Sequence, residues 1–180
     1  MLELSIVIPA FNASSYIVNC LESIFVDYKN ENFEVIVVDD CSTDNTLELI
    51  NAYALKEKRI KVFSNKKNQK LSKTRQIGIS EAKGLYIMHL DADDWLIKGS
   101  VQTILNSINK FNPDILVFNF YRQSSDGKIT YPILKINKLT LTNNKQDIIN
   151  YFLGAVVTKV VKTELLKKME ISNYKISNSE

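Results

Sequence analysis

The stretch HLDADDWL, residues 89 to 96, sets three carboxylates, Asp91, Asp93 and Asp94, directly behind the apolar run Leu85-Tyr86-Ile87-Met88. Carboxylates this close raise one another's pKa unless a positive charge sits among them, and a divalent ion with oxygen ligands removes the conflict. Mg2+ or Mn2+ held by one or two carboxylates completes its shell with water and phosphate oxygens, so the ligand implied is a phosphate or diphosphate. A solvated strand-to-helix turn is the alternative reading of the same triplet. A second acidic cluster, Asp39-Asp40-Cys41-Ser42-Thr43-Asp44, follows the run Phe33 to Val38. Capping of a following helix accounts for Thr43 and Asp44, whereas Asp39 and Asp40 come too early for it. A third segment, NKKNQKLSKTRQIGI, brings Lys73 and Arg75 to the start of a helical pattern, where an N-terminus also favours anions. Most of its lysines read as a solvated basic turn; Arg75 is the exception.

Other chemistry finds little support. His89 is the only histidine and reads as a packed core residue, and Trp95 reads as a packing anchor for its turn. No GxSxG, GxGxxG or GxxxxGK[ST] occurs. Cys20 and Cys41 lack metal-ligand spacing and suggest a reducing compartment. The net charge of +3 is small, and the clusters Lys66-Lys67-Lys70-Lys73 and Lys159-Lys162-Lys167-Lys168 form no basic stripe with interleaved aromatics. Nucleic acid is therefore not an expected partner. No apolar run reaches about 18 residues, and MLELSIVIPA lacks a basic n-region, so neither a membrane span nor a secretory signal is expected.

The elements that must position these residues alternate. Strands are expected at Leu4 to Ile8, Phe33 to Val38, Ile60 to Phe63, Leu85 to Leu90 and Ile115 to Phe120. Between them, Ile17, Cys20, Leu21, Ile24 and Phe25 mark a first helix face, with Ser14 or Ser15 as its cap. A second helix begins near Thr43-Asp44, a third carries Leu71, Gly78, Ile79 and Ala82, and a fourth carries Val101, Ile104, Leu105 and Ile108. Strands separated by single helices argue for an α/β class with a mostly parallel sheet covered on both faces. In such sheets ligands bind beyond the carboxyl ends of the strands. The Pro9-Ala10-Phe11-Asn12 turn, the Asp39-Asp40 pair and the acidic triplet all fall on that edge. Past residue 121 the pattern weakens: SSDGK signals a turn, Tyr131 to Leu141 reads as extended, and a capped helix is expected from about Asn144. A soft boundary near residue 122 divides a βα half, 1 to 122, from an irregular half, 123 to 180.

SIVIPAFNASSYIVNCLESI, FEVIVVDDCSTDNTLELI and LSKTRQIGISEAKGLYIMHLDADDWL, in this unbroken order over residues 3 to 120, resemble the nucleotide-diphospho-sugar domain of family 2 glycosyltransferases, which have the GT-A fold. The resemblance implies that Pro9, Ala10, Phe11 and Asn12 line a nucleoside pocket. It implies that Asp40, with Asp39 before it, accepts a hydrogen bond from a uracil ring, and that Arg75 helps to order the donor site. Asp91-Ala92-Asp93 matches a DxD motif, with Asp93 the closer ligand of Mn2+ or Mg2+, Asp91 directed toward the ribose or bridging region, and Asp94 adding to the shell. The implied reaction moves a sugar, with inversion, from a nucleoside diphosphate sugar, a UDP-sugar by preference, to a glycan or lipid-linked acceptor, as in surface polysaccharide synthesis. The implied place is the cytoplasm, at the inner face of the membrane through peripheral association. A nucleotide-sugar-binding module without transfer activity of its own is the alternative. A nucleotidyltransferase would carry a glycine-rich basic loop after the first strand, which Pro9-Ala10-Phe11-Asn12-Ala13 is not.

Against the family pattern, Cys41 and Lys70 stand where glycines are usual, Thr74 and Gln76 replace the alanine and asparagine flanking the arginine, and Lys98 replaces a proline. Glycine at position 70 would permit φ > 0 or a close backbone approach. The family's catalytic base, often in a Glu-Asp pair, follows a segment like GAVVTKVVKTELLKK; Glu180 is a candidate first member, no base is assigned, and the chain reads as a piece of a longer protein.

Overall fold

The computed structural model describes residues 1–26, 31–119, 121–124, 126–130 and 159–168. The apolar runs form β1 (Leu4–Ala10), β2 (Phe33–Asp39), β3 (Ile60–Ser64) and β4 (Tyr86–His89), parallel and ordered β3-β2-β1-β4. Every residue of β1 and β2 is buried, as expected of central parallel strands covered on both faces. Each fully buried Ile or Val there contributes about 1.5–3 kcal/mol. The α/β expectation is met.

One face packs against α1 (Ile17–Phe25), α2 (Thr46–Ala54) and α4 (Ser100–Phe111), whose Ile17, Leu21, Ile24, Ile50, Val101, Ile104, Leu105 and Ile108 join Ile6, Ile8, Val35, Val37 and Met88 in one core. The other face packs against α3 (Lys70–Glu81), with Ile79 on Val7, Ile36, Val38 and Ile87. Gly78 lets α3 lie directly on β1: a Cβ there would meet Val7 Cγ1 at 2.2 Å.

The second half of the chain enters the same sheet. β5 (Ile115–Val117) is separated from β4 by β8 (Lys159–Lys162), which is antiparallel to both, giving the order β3-β2-β1-β4-β8-β5. Residue 122 is thus a boundary in pattern that the sheet itself crosses. β6 (Arg122–Gln123) pairs antiparallel with β7 (Ile129–Thr130), and between them the Gly127 amide donates to the Ser124 carbonyl with Gly127 at φ 80. The extended stretch expected at 131 to 141 and the helix from Asn144 lie outside the described residues.

Several local expectations are corrected. Neither Ser14 nor Ser15 caps α1: the Tyr16 and Ile17 amides both donate to the Ala13 carbonyl, and the Ser14 amide donates to Asp44 instead. α2 starts at Thr46, since the Asp44 carboxylate first closes a turn by accepting the Thr46 amide. Leu71, placed on the buried face of the third helix, is 51% exposed on its ligand-edge end. Trp95 is not an anchor: it is 54% exposed, and Leu96 beside it, at 9%, fills that place.

Candidate functional site

Parallel strands put Ala10, Asp39, Ser64 and His89 at one edge, and the antiparallel direction of β8 brings its first residue, Lys159, to the same edge. The loops after β1 and β2 are laced together there. Asn12, in a left-handed conformation (φ 49) that asparagine tolerates, donates its amide to Ser42 Oγ (3.0 Å) and accepts the Thr43 amide through Oδ1 (2.8 Å). The Ala13 amide donates to Thr46 Oγ1 at 2.7 Å. Hydrogen bonds to Asp44 from Thr46 and Ser14 hold its carboxyl well below the usual carboxylate range.

Between these loops and the start of α3 opens a cleft of about 220 Å³ lined by Pro9, Ala10, Phe11, Asp40, Asn68, Lys70, Leu71 and Thr74. Four residues assigned to the nucleoside pocket from sequence, Pro9, Ala10, Phe11 and Asp40, therefore share one cleft. Asn12 stands beside it, holding the loop. Phe11, 49% exposed, and Leu71 are its large apolar side chains.

Asp40 is the keystone of the cleft. Oδ1 accepts from Asn65 Nδ2 (2.7 Å) and the Gln69 amide (2.7 Å), and Oδ2 from the Lys70 amide (2.9 Å). It thus caps α3, from a strand end 30 residues earlier in the chain. Burial would raise its pKa, but the bonds from Gln69, Asn65, Thr74 and Lys70 outweigh it and hold the group below its ordinary value. Lys70 reaches this position at φ 70, and Cys41 lies at φ 62, so both residues that replace family glycines sit in the left-handed region. Asp39 is buried, with Oδ2 accepting from the Ser42 amide (3.2 Å) and the Ser64 hydroxyl (3.4 Å) and with Oδ1 unpartnered among the described residues.

Alternation along β4 puts His89 and then Asp91 on the α3 face with Ile87. Arg75, on α3, donates from Nη2 to Asp91 Oδ1 at 2.6 Å. Arg75 Nε and His89 Nδ1 are buried without a hydrogen-bond partner among the described residues. Burial pushes the imidazole of His89 down to about 4, with the Arg75 charge adding, so it is neutral at pH 7. The packed-residue expectation for His89 holds, yet its ring, with Nδ1 unpartnered among the described residues, feels the charge of Arg75. Beneath the triplet, Cys20 donates its thiol to the Asp91 carbonyl (3.6 Å), and burial with the charges of Asp94, Asp93 and Asp91 drives its pKa far up, which removes it as a nucleophile.

The three carboxylates do not converge. Asp91 faces Arg75, and no group of three or more His, Cys, Asp and Glu side chains among the described residues is arranged to hold a metal ion. Asp93 and Asp94 are exposed and form no ion pair among the described residues. The protein packed around the Asp94 carboxyl raises its pKa, and the charges of Asp93 and Asp91 raise it further. That uncompensated charge fits a divalent cation held by Asp93 and Asp94, two carboxylates being what Mg2+ or Mn2+ uses when phosphate and water complete its shell.

Sequence reasoning missed two features of this edge. Asp40 as a cap for α3 has no local signal, because its partners lie 25 to 30 residues away. Lys159 was one lysine among several; β8 buries it at the edge, one position past the Met88–Val160 pair, and burial pulls its pKa below the ordinary value. Glu180 lies outside the described residues.

A family model described as glycosyl transferase family 2 matches residues 5–169. Glycosyltransferase GlyG of Streptococcus pneumoniae serotype 4 (strain ATCC BAA-334 / TIGR4) is 28% identical over 181 residues, which cover 94% of this chain and 60% of GlyG. The poly(ribitol-phosphate) beta-N-acetylglucosaminyltransferase TarS of Staphylococcus aureus (strain Mu50 / ATCC 700699) is 31% identical over 188 residues, 95% of this chain and 29% of TarS. The crystal structure of S. aureus TarS 1-349 in complex with UDP-GlcNAc matches with a TM-score of 0.77 at 28% identity, over 94% of this chain and 48% of that one. The fold is the GT-A fold of TarS. The chain spans 60% of GlyG and less than a third of TarS.

Proposed function

The chain belongs to glycosyl transferase family 2, and from that premise we propose that it transfers a sugar, with inversion and with Mn2+ or Mg2+, from a UDP-sugar to an acceptor hydroxyl. The observation that carries this reading is one continuous edge holding the apolar cleft, the Arg75–Asp91 pair and the Asp93-Asp94 carboxylates. TarS, which shares the fold, is crystallised with UDP-GlcNAc, and that supports a UDP-sugar as donor.

In this reading Phe11 and Leu71 wall the nucleobase. Asp40 fixes the α3 loop that carries Asn68, Lys70 and Leu71, and it is the carboxylate nearest a uracil N–H. Arg75, oriented by Asp91 and with its Nε without a partner among the described residues, meets the diphosphate. A divalent cation on Asp93 and Asp94 would offset the negative charge that develops on the departing diphosphate. No described residue is assigned as the base that deprotonates the acceptor. Residues 1–122 make the donor half and residues 123–180 the acceptor side, with β8 joining the two. The acceptor is a glycan or a lipid-linked glycan. The place proposed is the cytoplasm, at the inner face of the membrane by peripheral association; no helix among the described residues is long and apolar enough to cross a membrane.

Because the chain spans only part of its relatives, a donor-binding unit that transfers only together with further sequence is the second reading. Calorimetric titration with UDP-GlcNAc, UDP-glucose and GDP-mannose, with and without Mn2+, tests both. Tighter binding of a UDP-sugar in Mn2+ is expected. Hydrolysis or transfer alongside it selects the enzyme and binding alone the module, whereas no binding, or binding indifferent to metal, overturns the proposal.

A further inference from the structure

The turn after β4 is pinned to α1 at both ends. At its start the Asp94 amide donates to the Asp91 carbonyl (3.0 Å), which also accepts the Cys20 thiol (3.6 Å). At its end the Leu96 amide donates to Ser23 Oγ (2.9 Å), and that hydroxyl donates to the Cys20 carbonyl (2.6 Å). Ala92 and Leu96, both buried, are its pegs. Between them Asp93, Asp94 and Trp95 are three consecutive exposed side chains on an anchored backbone. Tryptophan is highly buried on average, and this one, the single tryptophan of the chain, is 54% exposed and directly follows Asp93 and Asp94 in the chain.

An exposed indole that follows two exposed carboxylates on one anchored turn matches one ligand chemistry. A pyranose offers a face of polarised C–H groups, which pack on the electron-rich face of an aromatic ring, and a rim of hydroxyls, which donate to the carboxylate lone pairs that a cation on Asp93 and Asp94 leaves free. A purely apolar partner would leave Asp93 and Asp94 desolvated and unpaired, at high cost. We infer that Trp95 is the stacking platform for a pyranose ring at the acidic turn. This rests on the donor reading above: with the diphosphate at Arg75 and at the cation proposed for Asp93 and Asp94, the sugar bonded to it lies close to the acidic turn, and Trp95 is two residues beyond Asp93. The donor's own sugar and the terminal sugar of an acceptor share this chemistry.

Since Trp95 is the only indole in the chain, its emission reports the site directly. In Mn2+, the protein is titrated with UDP, with UDP-GlcNAc, and with N-acetylglucosamine in the presence of UDP, while calorimetry follows binding of the nucleotides. A quench or blue shift with UDP-GlcNAc beyond that with UDP assigns the platform to the donor sugar. A change only with the free monosaccharide assigns it to the acceptor. Trp95→Ala should then weaken the responding sugar roughly tenfold and leave UDP affinity unchanged, with Trp95→Phe recovering most of the loss. If calorimetry shows UDP-GlcNAc bound and the emission is unmoved by every sugar, the platform is overturned and the donor reading stands. An emission already blue-shifted in the free protein and indifferent to ligand gives the indole to another part of the chain or a second copy, and overturns it as well. Absence of calorimetric binding defeats the donor reading, and this inference with it.

Discussion

On the β1–β2 side of the ligand edge the polar groups, Asp39 Oδ1 excepted, answer one another: Asn12 spans to Ser42 and Thr43, Asp44 holds Thr46 and Ser14, and Asp40 gathers Asn65, Gln69 and Lys70. On the β4 side they do not. Arg75 Nε and His89 Nδ1 have no partner among the described residues, and Asp93 and Asp94 stand exposed with unbalanced charge. The first side is a scaffold in which Asp40 and Asp44 serve folding, with pKa values lowered by protein donors. On the second, the protein leaves charge for a ligand to balance. Two acidic clusters alike in sequence thus do different work, and substitutions should separate them.

The largest effect is expected at Asp93. Asp93→Ala should lower donor affinity in Mn2+, and transfer where it is present, on the order of a hundredfold. Folding stability should stay within about 0.5 kcal/mol, as for an exposed side chain without partners. Titration calorimetry and urea unfolding on the same protein check the two halves. Intact Mn2+-dependent binding, or a clear loss of stability, would erase the contrast between the clusters.

Asp40→Ala should do the reverse. It strips the Gln69 amide of its acceptor, leaves the Lys70 amide only the longer bond to Asn68 Oδ1 (3.1 Å), and should cost about 1–3 kcal/mol of stability, read as a lower urea midpoint with an unchanged slope. Weaker donor binding should follow as the cleft loses its wall. An unchanged midpoint would mean that Asp40 is held for the ligand alone.

Acid should expose the same distinction. Glu34 resembles Asp40: burial raises its pKa, but the bonds from Lys61, from Ser5 Oγ (2.7 Å) and from the Lys83 amide (2.7 Å) bring it below its ordinary value. For a carboxylate whose folded pKa is depressed, the stability is full above the unfolded pKa of about 4 and is lost as pH falls through the folded value. Urea midpoints of the wild type should therefore drop as pH falls below about 4. The gap between wild type and Asp40→Ala should narrow over that window. A gap that persists at low pH would show that the ionised carboxylate is not what caps α3.

The sequence made the strands legible because continuous apolar runs in a parallel sheet leave little choice, and β1 to β4 lie within two residues of their expected spans. The ligand edge was legible for the same reason, since strand ends follow from strands. What failed was long-range or too short to carry a pattern. The Arg75–Asp91 pair depends on how Gly78 seats α3 on β1, and β8 is four residues with lysines at both ends. Trp95 was misread because residue type predicts burial on average, whereas the pegs chosen by this turn are Ala92 and Leu96.

The smallest effect concerns the two replaced glycines, where the scaffold side carries strain. A side chain in the left-handed region costs roughly 1–2 kcal/mol, while glycine restores about 0.5–1 kcal/mol of unfolded-state entropy. Lys70→Gly and Cys41→Gly should each stabilise the fold by no more than about 1 kcal/mol, and Lys70→Ala, which keeps a Cβ at φ 70, should not. Thermal unfolding of the three variants reads the difference. Equal stability of Lys70→Gly and Lys70→Ala would mean that the Asp40 bond to the Lys70 amide, common to both, sets this conformation without strain. A gain confined to glycine would place a strained backbone under the loop that walls the cleft, held there by the carboxylate of Asp40.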